Sequence, residues 1–241
     1  MGQPVSRARF VVSPLPEAGA VARLEGAEAR HARARRLKEG DSVVLVDGSG
    51  REAAAVVERT TRDAIDVRVA SVAPPVSERL GPIHLLVAAV RPERLSWIAE
   101  KATELGAARM TLVSSARTQS FRAGGTVVTR LERVVREAAK QCDRPDWPVI
   151  AGPISFGDAV RGERSTRLVL DPGGEAFPAV LPAGPTALLI GPEGGWTEDE
   201  LEAAIAGGWA AVSLAAGKLR AETAAVAALT LARTALARFP H

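Results

Sequence analysis

A chain of 241 residues, 46% of them hydrophobic, suffices for one large or two modest domains with an ample core. A single cysteine, Cys142, excludes an internal disulfide, the scattered His31, His84 and His241 offer no metal cluster, and no apolar run approaches the ~20 residues of a membrane span. The net charge of +3 divides into +2 over residues 1–80, +4 over 81–146 and −3 beyond, which assigns the basic surface to the first 146 residues. Only four of the 31 basic residues are lysine, and arginine suits bidentate phosphate contact. The absence of tyrosine argues against a platform of stacked bases, so a nucleic-acid partner would be held by phosphate contacts and shape. The start, MGQPVSRARF, has no signal-peptide core, and the cytoplasm is the expected location.

Residues 5–72 read as short β segments: Arg9 to Val12, Val21 to Leu24, Ser42 to Val46, Ala53 to Glu58 and Ala64 to Val69. The turn Asp47-Gly48-Ser49-Gly50 joins two of them, and the set suggests a small barrel. Between the second and third segments a short helix carries Arg30, Arg33, Arg35, Arg36 and Lys38. Such a cluster is either a solvated helical face or an RNA contact, and the mutual repulsion of five cations in nine residues favours a polyanion.

Pro74, Pro75, Gly81 and Pro82 mark a linker, which separates a first domain, residues 1–73, from a second, residues 74–241. From Ile83 the period changes. Ile83 to Ala89 is a buried strand, Pro92 to Leu105 a helix stopped by Gly106, and Met110 to Val113 the next strand, the alternation of an α/β domain with a parallel sheet. Thr118 to Thr126 reads as a mobile loop, and Thr129 to Gln141 as an amphipathic helix bearing Arg130, Arg133, Arg136 and Lys140. Arg167 to Leu170 forms a further strand ending at Asp171-Pro172-Gly173-Gly174.

The stretch from Thr186 to Ala224 is the most informative. A buried strand, Thr186 to Ile190, breaks at Gly191-Pro192-Glu193-Gly194-Gly195, and the pair Thr197 and Glu200 has the form of a capping box that starts a helix. The glycine turn is either a ligand loop at a strand's carboxyl end or simply a tight connection. A phosphate there would meet Glu193, Glu198, Asp199 and Glu200, so a phosphate-free or cationic adenosine compound fits better. Ala210 to Leu214 repeats the pattern as a strand, Ala216-Gly217 as its turn and Leu219 to Arg238 as an Ala-rich helix. At that helix's start stand Arg220, Glu222 and Thr223, in reach of a cleft, or with Glu222 complementing the dipole and Thr223 capping.

These residues resemble the paired GPEGG and LR-x-ETA signatures of the RsmE family, 16S ribosomal RNA uridine-N3 methyltransferases of the SPOUT superfamily that use S-adenosylmethionine. The resemblance extends through Arg9-Phe10-Val11, similar to an opening R-F-F, and Ala34 to Asp41, similar to V-L-R-x-K-x-G-D. It continues through Lys101 to Gly106, which resembles K-x-x-E-L-G, Ser115 to Thr118, which resembles S-E-R-S, and Gln141 to Arg144 with Pro148, which resembles E-Q-S-x-R and its proline. Val11, Arg35, Ala116, Lys140 and Cys142 depart from those patterns. Without the resemblance, Lys101 and Glu104 read as a surface pair.

The resemblance implies a PUA-like RNA-binding β-barrel followed by a SPOUT α/β domain whose C-terminal part forms a trefoil knot, together with dimerisation. It implies S-adenosylmethionine as cofactor, held by Leu170, Ile190, Gly191, Pro192, Glu193, Gly194 and Gly195 on one side. Leu214, Leu219, Arg220 and Thr223 hold it on the other. It implies no metal, and 16S rRNA, in the assembled 30S subunit, as partner. RNA contact falls to Arg9, Arg30, Arg33, Arg36, Lys38, Arg117 and Arg144. Uridine N3 is protonated at neutral pH, so Arg220 is expected to stabilise charge on the uracil oxygens while Glu222 or Glu193 takes the proton, or Glu222 merely holds Arg220. A tRNA-directed enzyme and a non-catalytic ribosome-binding factor are the alternatives.

Overall fold

A computed structural model of the chain describes residues 8–75, 81–88, 90–118, 125–162, 166–215 and 217–237. The chain divides into two units, one made of Met1–Ser77 with Ala139–Asp146 and the other of Glu78–Ala138 with Trp147–His241.

In the first unit, β1 (Ala8–Val11), β2 (Val21–Leu24), β3 (Ser42–Val46), β4 (Glu52–Thr60) and β5 (Ile65–Ala73) form one mixed sheet in the order β1-β3-β4-β5-β2. Only the β1–β3 pair is parallel. Alternate residues turn inward, so that Phe10, Leu45, Val57, Ile65 and Val67 share one core, as the period of two requires. The sheet is a half-barrel with β1 and β2 as its edges. The arginine-rich helix α1 (Gly26–Ala34) buries only Ala29 and Ala32, and Arg36 just beyond it takes a left-handed conformation at φ 57°. Asp47 organises the turn after β3: its carboxylate accepts from the Ser49 and Leu15 amides at 2.9 and 3.3 Å. Burial pushes its pKa up, but the Ser49 and Leu15 hydrogen bonds and Arg51 outweigh this and hold it below the ordinary value.

The second unit is built on six parallel strands: β6 (Ile83–Ala88), β7 (Arg109–Ser114), β8 (Val149–Ser155), β9 (Thr166–Ala176), β10 (Thr186–Ile190) and β11 (Ala210–Ser213). Their order is β11-β9-β10-β6-β7-β8. Leu85, Val87, Leu188 and Ile190 face one side, where α2 (Pro92–Glu104), α3 (Gly125–Gln141) and α6 (Ala221–Ala237) cover them. Leu86, Ala88 and Leu189 face the other, against α4 (Phe156–Arg161) and α5 (Glu198–Ala206). Apolar residues on both faces are what a parallel sheet between helix layers demands. On α2 the Lys101 ammonium lies 2.8 Å from both Glu100 and Glu104, whose hydrogen bonds, Glu100's first, raise its pKa above the ordinary lysine value.

Strand β8 and helix α4 are not foreshadowed in the sequence. Gly152 sits at φ 94° inside β8 where the register to β7 shifts, and a Cβ there would lie 2.5 Å from the Leu112 carbonyl oxygen. The Gly-Pro in the middle of VIAGPIS disguises a strand that is bent by design. Strand β9 also runs past its expected end at Leu170. Its pairing with β11 goes from Val169 opposite Ala211 to Glu175 opposite Val212, so residues 170–174 bulge out between consecutive partners. Gly174 closes the bulge, since a Cβ there would come within 2.6 Å of the β11 backbone. Ala89, residues 119–124 of the expected mobile loop, Ala216 of the expected turn and Arg238 lie outside the described residues. Among the described residues no helix is long and apolar enough to cross a membrane, and no group of three or more His, Cys, Asp or Glu side chains could hold a metal ion.

Candidate active site

Leu170, Ile190 and Val212 are the last inward apolar residues of three neighbouring parallel strands, and beyond them lies a cavity of about 210 Å³. Its walls are the β9 bulge at Asp171-Pro172, the loop Gly191–Gly195 with Trp196, the segment Ser213–Ala215 with Gly217–Leu219, and Ala221 and Ala224 of α6. A crevice at the carboxyl ends of parallel strands is where an α/β sheet leaves backbone groups unpaired and open to a ligand.

The Gly191–Gly195 loop is rigid for reasons visible residue by residue. Gly191 faces the Trp196 indole, 3.2 Å from where its Cβ would be, and the indole N–H donates to the Leu170 carbonyl at 3.1 Å. Gly195 adopts φ 70°, a conformation that L residues resist, and its N–H closes a turn on the Pro192 carbonyl at 2.9 Å. The capping box of α5 is complete: Thr197 Oγ1 accepts from the Glu200 amide at 3.2 Å and Glu200 Oε2 from the Thr197 amide at 3.0 Å. The other Glu200 oxygen accepts from the Ala116 amide at 2.7 Å, which ties the segment after β7 to the helix start. Arg117 completes that tie by donating to the Gly194 and Trp196 carbonyls at 2.8 and 3.0 Å.

The capping box consumes donors that a phosphate would need, and Glu198 and Asp199 add negative charge in the same turn. The start of α5 is therefore a poor phosphate site, while the charged residues that line the cavity are balanced, Asp171 and Glu193 against Arg117 and Lys218. At the start of α6, Glu222 Oε1 stands 3.7 Å from Arg94 Nε, and Arg94 also donates to Glu193 Oε1 at 2.5 Å. Glu222 Oε2 is buried and has no hydrogen-bond partner among the described residues. Arg220 is exposed and none of the side-chain hydrogen bonds or ion pairs described involves it, and neither it nor the exposed Thr223 lines the cavity. Of the expected cofactor contacts, Leu170, Ile190, the Gly191–Gly195 loop, Leu214 and Leu219 all do.

Residues 77–233 match the RNA methyltransferase domain family, and residues 24–70 the RNA methyltransferase PUA domain. Ribosomal RNA small subunit methyltransferase E of Mycobacterium bovis is 37% identical over 241 aligned residues, covering 91% of this chain and 88% of the relative. The chain belongs to the ribosomal RNA small subunit methyltransferase E family. The Synechocystis member is 32% identical over 235 residues, covering 92% of this chain and 75% of its own. The solved ribosomal RNA small subunit methyltransferase E of Neisseria gonorrhoeae, bound to S-adenosyl methionine, superposes with a TM-score of 0.87 at 26% identity, over 95% of this chain and 97% of that one. A Legionella pneumophila protein solved with bound SAM gives the same TM-score at 28% identity, over 96% and 98%. With the family goes the SPOUT-type α/β fold preceded by a PUA-like half-barrel.

The sequence alone does not place two arginines against the Gly191–Gly195 loop. Arg94 sits in the helix read from Pro92 to Leu105, where nothing singles it out, and Arg117, expected at RNA, has its guanidinium on the loop backbone. Other expected RNA contacts divide in the same way. Arg9 is engaged with Glu52 and Asp143 at 2.7 and 3.0 Å, Arg144 with Asp146 at 2.9 Å, and Arg33 with the Arg62 carbonyl. Arg30, Arg36 and Lys38 are exposed, and no carboxylate pairs with them among the ion pairs described.

Proposed function

We propose that the chain transfers the methyl group of S-adenosylmethionine to N3 of a uridine in 16S rRNA of the small ribosomal subunit. The observation that carries this reading is the cavity framed by three parallel strand ends and two glycine-bearing loops, with Asp171 and Glu193 in its lining and a capping box occupying the amides at the start of α5. The cofactor supplies an electrophilic methyl on a sulfonium cation. Gly191–Gly195 and Ser213–Leu219 hold it through backbone groups, and Leu170, Ile190 and Val212 give its apolar parts a floor. Holding both reactants in line and keeping water out accounts for much of the acceleration in a displacement of this kind. Glu222 takes the N3 proton through its buried Oε2, and Arg220 stabilises charge on the uracil oxygens. The homodimer, the C-terminal trefoil knot, the assembled 30S subunit as substrate and the cytoplasmic location belong to the same proposal.

Mass spectrometry of 16S rRNA from cells with and without the protein tests it. The expected result is one methyluridine lost on deletion. An unchanged 16S rRNA with a lost methyl in tRNA would move the substrate, and no change in either would leave a binding factor.

Two further outcomes are expected. Arg117→Ala removes two hydrogen bonds that fix the Gly194 and Trp196 carbonyls, and calorimetry should read roughly tenfold weaker S-adenosylmethionine binding, the equivalent of about 1.4 kcal/mol. Replacing Arg30, Arg36 and Lys38 together by alanine should weaken RNA binding and lower the slope of log K against log salt by roughly 2, as lost phosphate contacts require. Cofactor affinity should not change. An unaltered slope would mark the cluster as a solvated face.

A further inference from the structure

The Gly191–Gly195 loop and the first turn of α6 come from separate stretches of sequence, and both carry a glutamate close to the cavity. One side chain from a third element joins them. Arg94, in the first turn of α2, donates to Glu193 Oε1 at 2.5 Å and places its Nε 3.7 Å from Glu222 Oε1. The Arg94 side chain is only 27% exposed, and the Glu222 side chain 18%. Helix α2 packs directly on α6 and Pro92 opens it, so the Arg94 Cα is fixed from both directions.

We infer that Arg94 is a positioning residue of the methyl-transfer site, coupling the cofactor loop to Glu222. This rests on the function proposed above. One guanidinium is shared by two carboxylates, so a single side chain constrains both acids. The bridge occupies one oxygen of Glu222 and leaves the other, buried and without a hydrogen-bond partner among the described residues, directed by the constraint. Removing the bridge frees Glu222 to rotate and releases Glu193 from α2, while Arg117 and the capping box still hold the loop. Arg94 acts through its neighbours and need not touch substrate.

The test measures cofactor affinity by calorimetry and kcat on 30S subunits for Arg94→Met, Arg94→Lys, Glu222→Gln and the double variant Arg94→Met with Glu222→Gln. Misplacement of a reacting group by about 1 Å can cost roughly 100-fold, so Arg94→Met should lower kcat by about 10- to 100-fold, with KM for the cofactor changed less than about threefold. Arg94→Lys should recover part of the loss, because an ammonium can still bridge one carboxylate. The double variant should turn over no more slowly than Glu222→Gln alone, since the kcat effect of Arg94 runs through the Glu222 carboxylate. Additive losses in the double variant, or an Arg94→Met enzyme with normal kcat, overturn the inference while leaving the methyltransferase reading intact. Failure of the unaltered protein to bind S-adenosylmethionine overturns both.

Discussion

Gly195→Val is expected to weaken S-adenosylmethionine binding by at least roughly 100-fold, about 2.8 kcal/mol, with the fold retained. Two effects combine. Gly195 sits at φ 70°, where an L residue costs about 1–2 kcal/mol and a β-branched one more, so the turn that closes the loop on Pro192 relaxes toward negative φ. The residue also lines the cavity, and a Cβ built there meets no atom within 4 Å. The added isopropyl group therefore occupies open space on the ligand side rather than clashing with the protein. That distinction predicts the second observable: the thermal midpoint should fall by only a few degrees, the few-kilocalorie strain of one residue in a chain of this size. Gly195→Ala carries the backbone strain with less bulk and should lose affinity by a smaller factor. Calorimetric affinity unchanged in Gly195→Val would remove the loop from the cofactor site.

What the sequence announces and what it hides follow from the range of the forces involved. Thr186–Ile190, the Thr197 cap and the glycine loop are legible because a buried strand, a capping box and a tight turn are local patterns, each set by neighbours within four or five residues. The small β strands of the first unit are legible for the same reason. Strand β8 is hidden because its glycine answers to the Leu112 carbonyl, some forty positions away in the chain, and not to any periodicity of its own. The β9 bulge is hidden likewise, since its close approach is to β11. Side-chain roles are the least legible. The resemblance assigns Arg9, Arg117 and Arg144 to RNA, and nothing local in the sequence shows that each guanidinium also meets a carboxylate or carbonyl of the protein. Arg30, Arg36 and Lys38 are exposed and take part in none of the ion pairs described, which the sequence does not distinguish from the engaged arginines either. Arg94 has no local signal at all, for its meaning lies in two acids about 100 and 130 residues downstream.

Glu222→Gln should reduce kcat by about 100-fold or more while leaving cofactor affinity within about threefold, the size of a general base's contribution. Glutamine keeps the shape and packing at the start of α6 but cannot accept a proton at neutral pH. The carboxylate's two oxygens are in different situations: Oε1 faces Arg94, and Oε2 is buried without a hydrogen-bond partner among the described residues. An unpaired buried acceptor costs about 1–3 kcal/mol, and a site that keeps one gains if a substrate N–H meets it. Glu193 is the competing base, but its side chain is 44% exposed and its Oε1 is already taken by Arg94 at 2.5 Å. The comparison is therefore decisive when read as a pair. If Glu222→Gln loses turnover and Glu193→Gln largely keeps it, the proton leaves through α6. If the order reverses, Glu222 complements the helix dipole and Arg94 delivers Glu193 to the substrate instead.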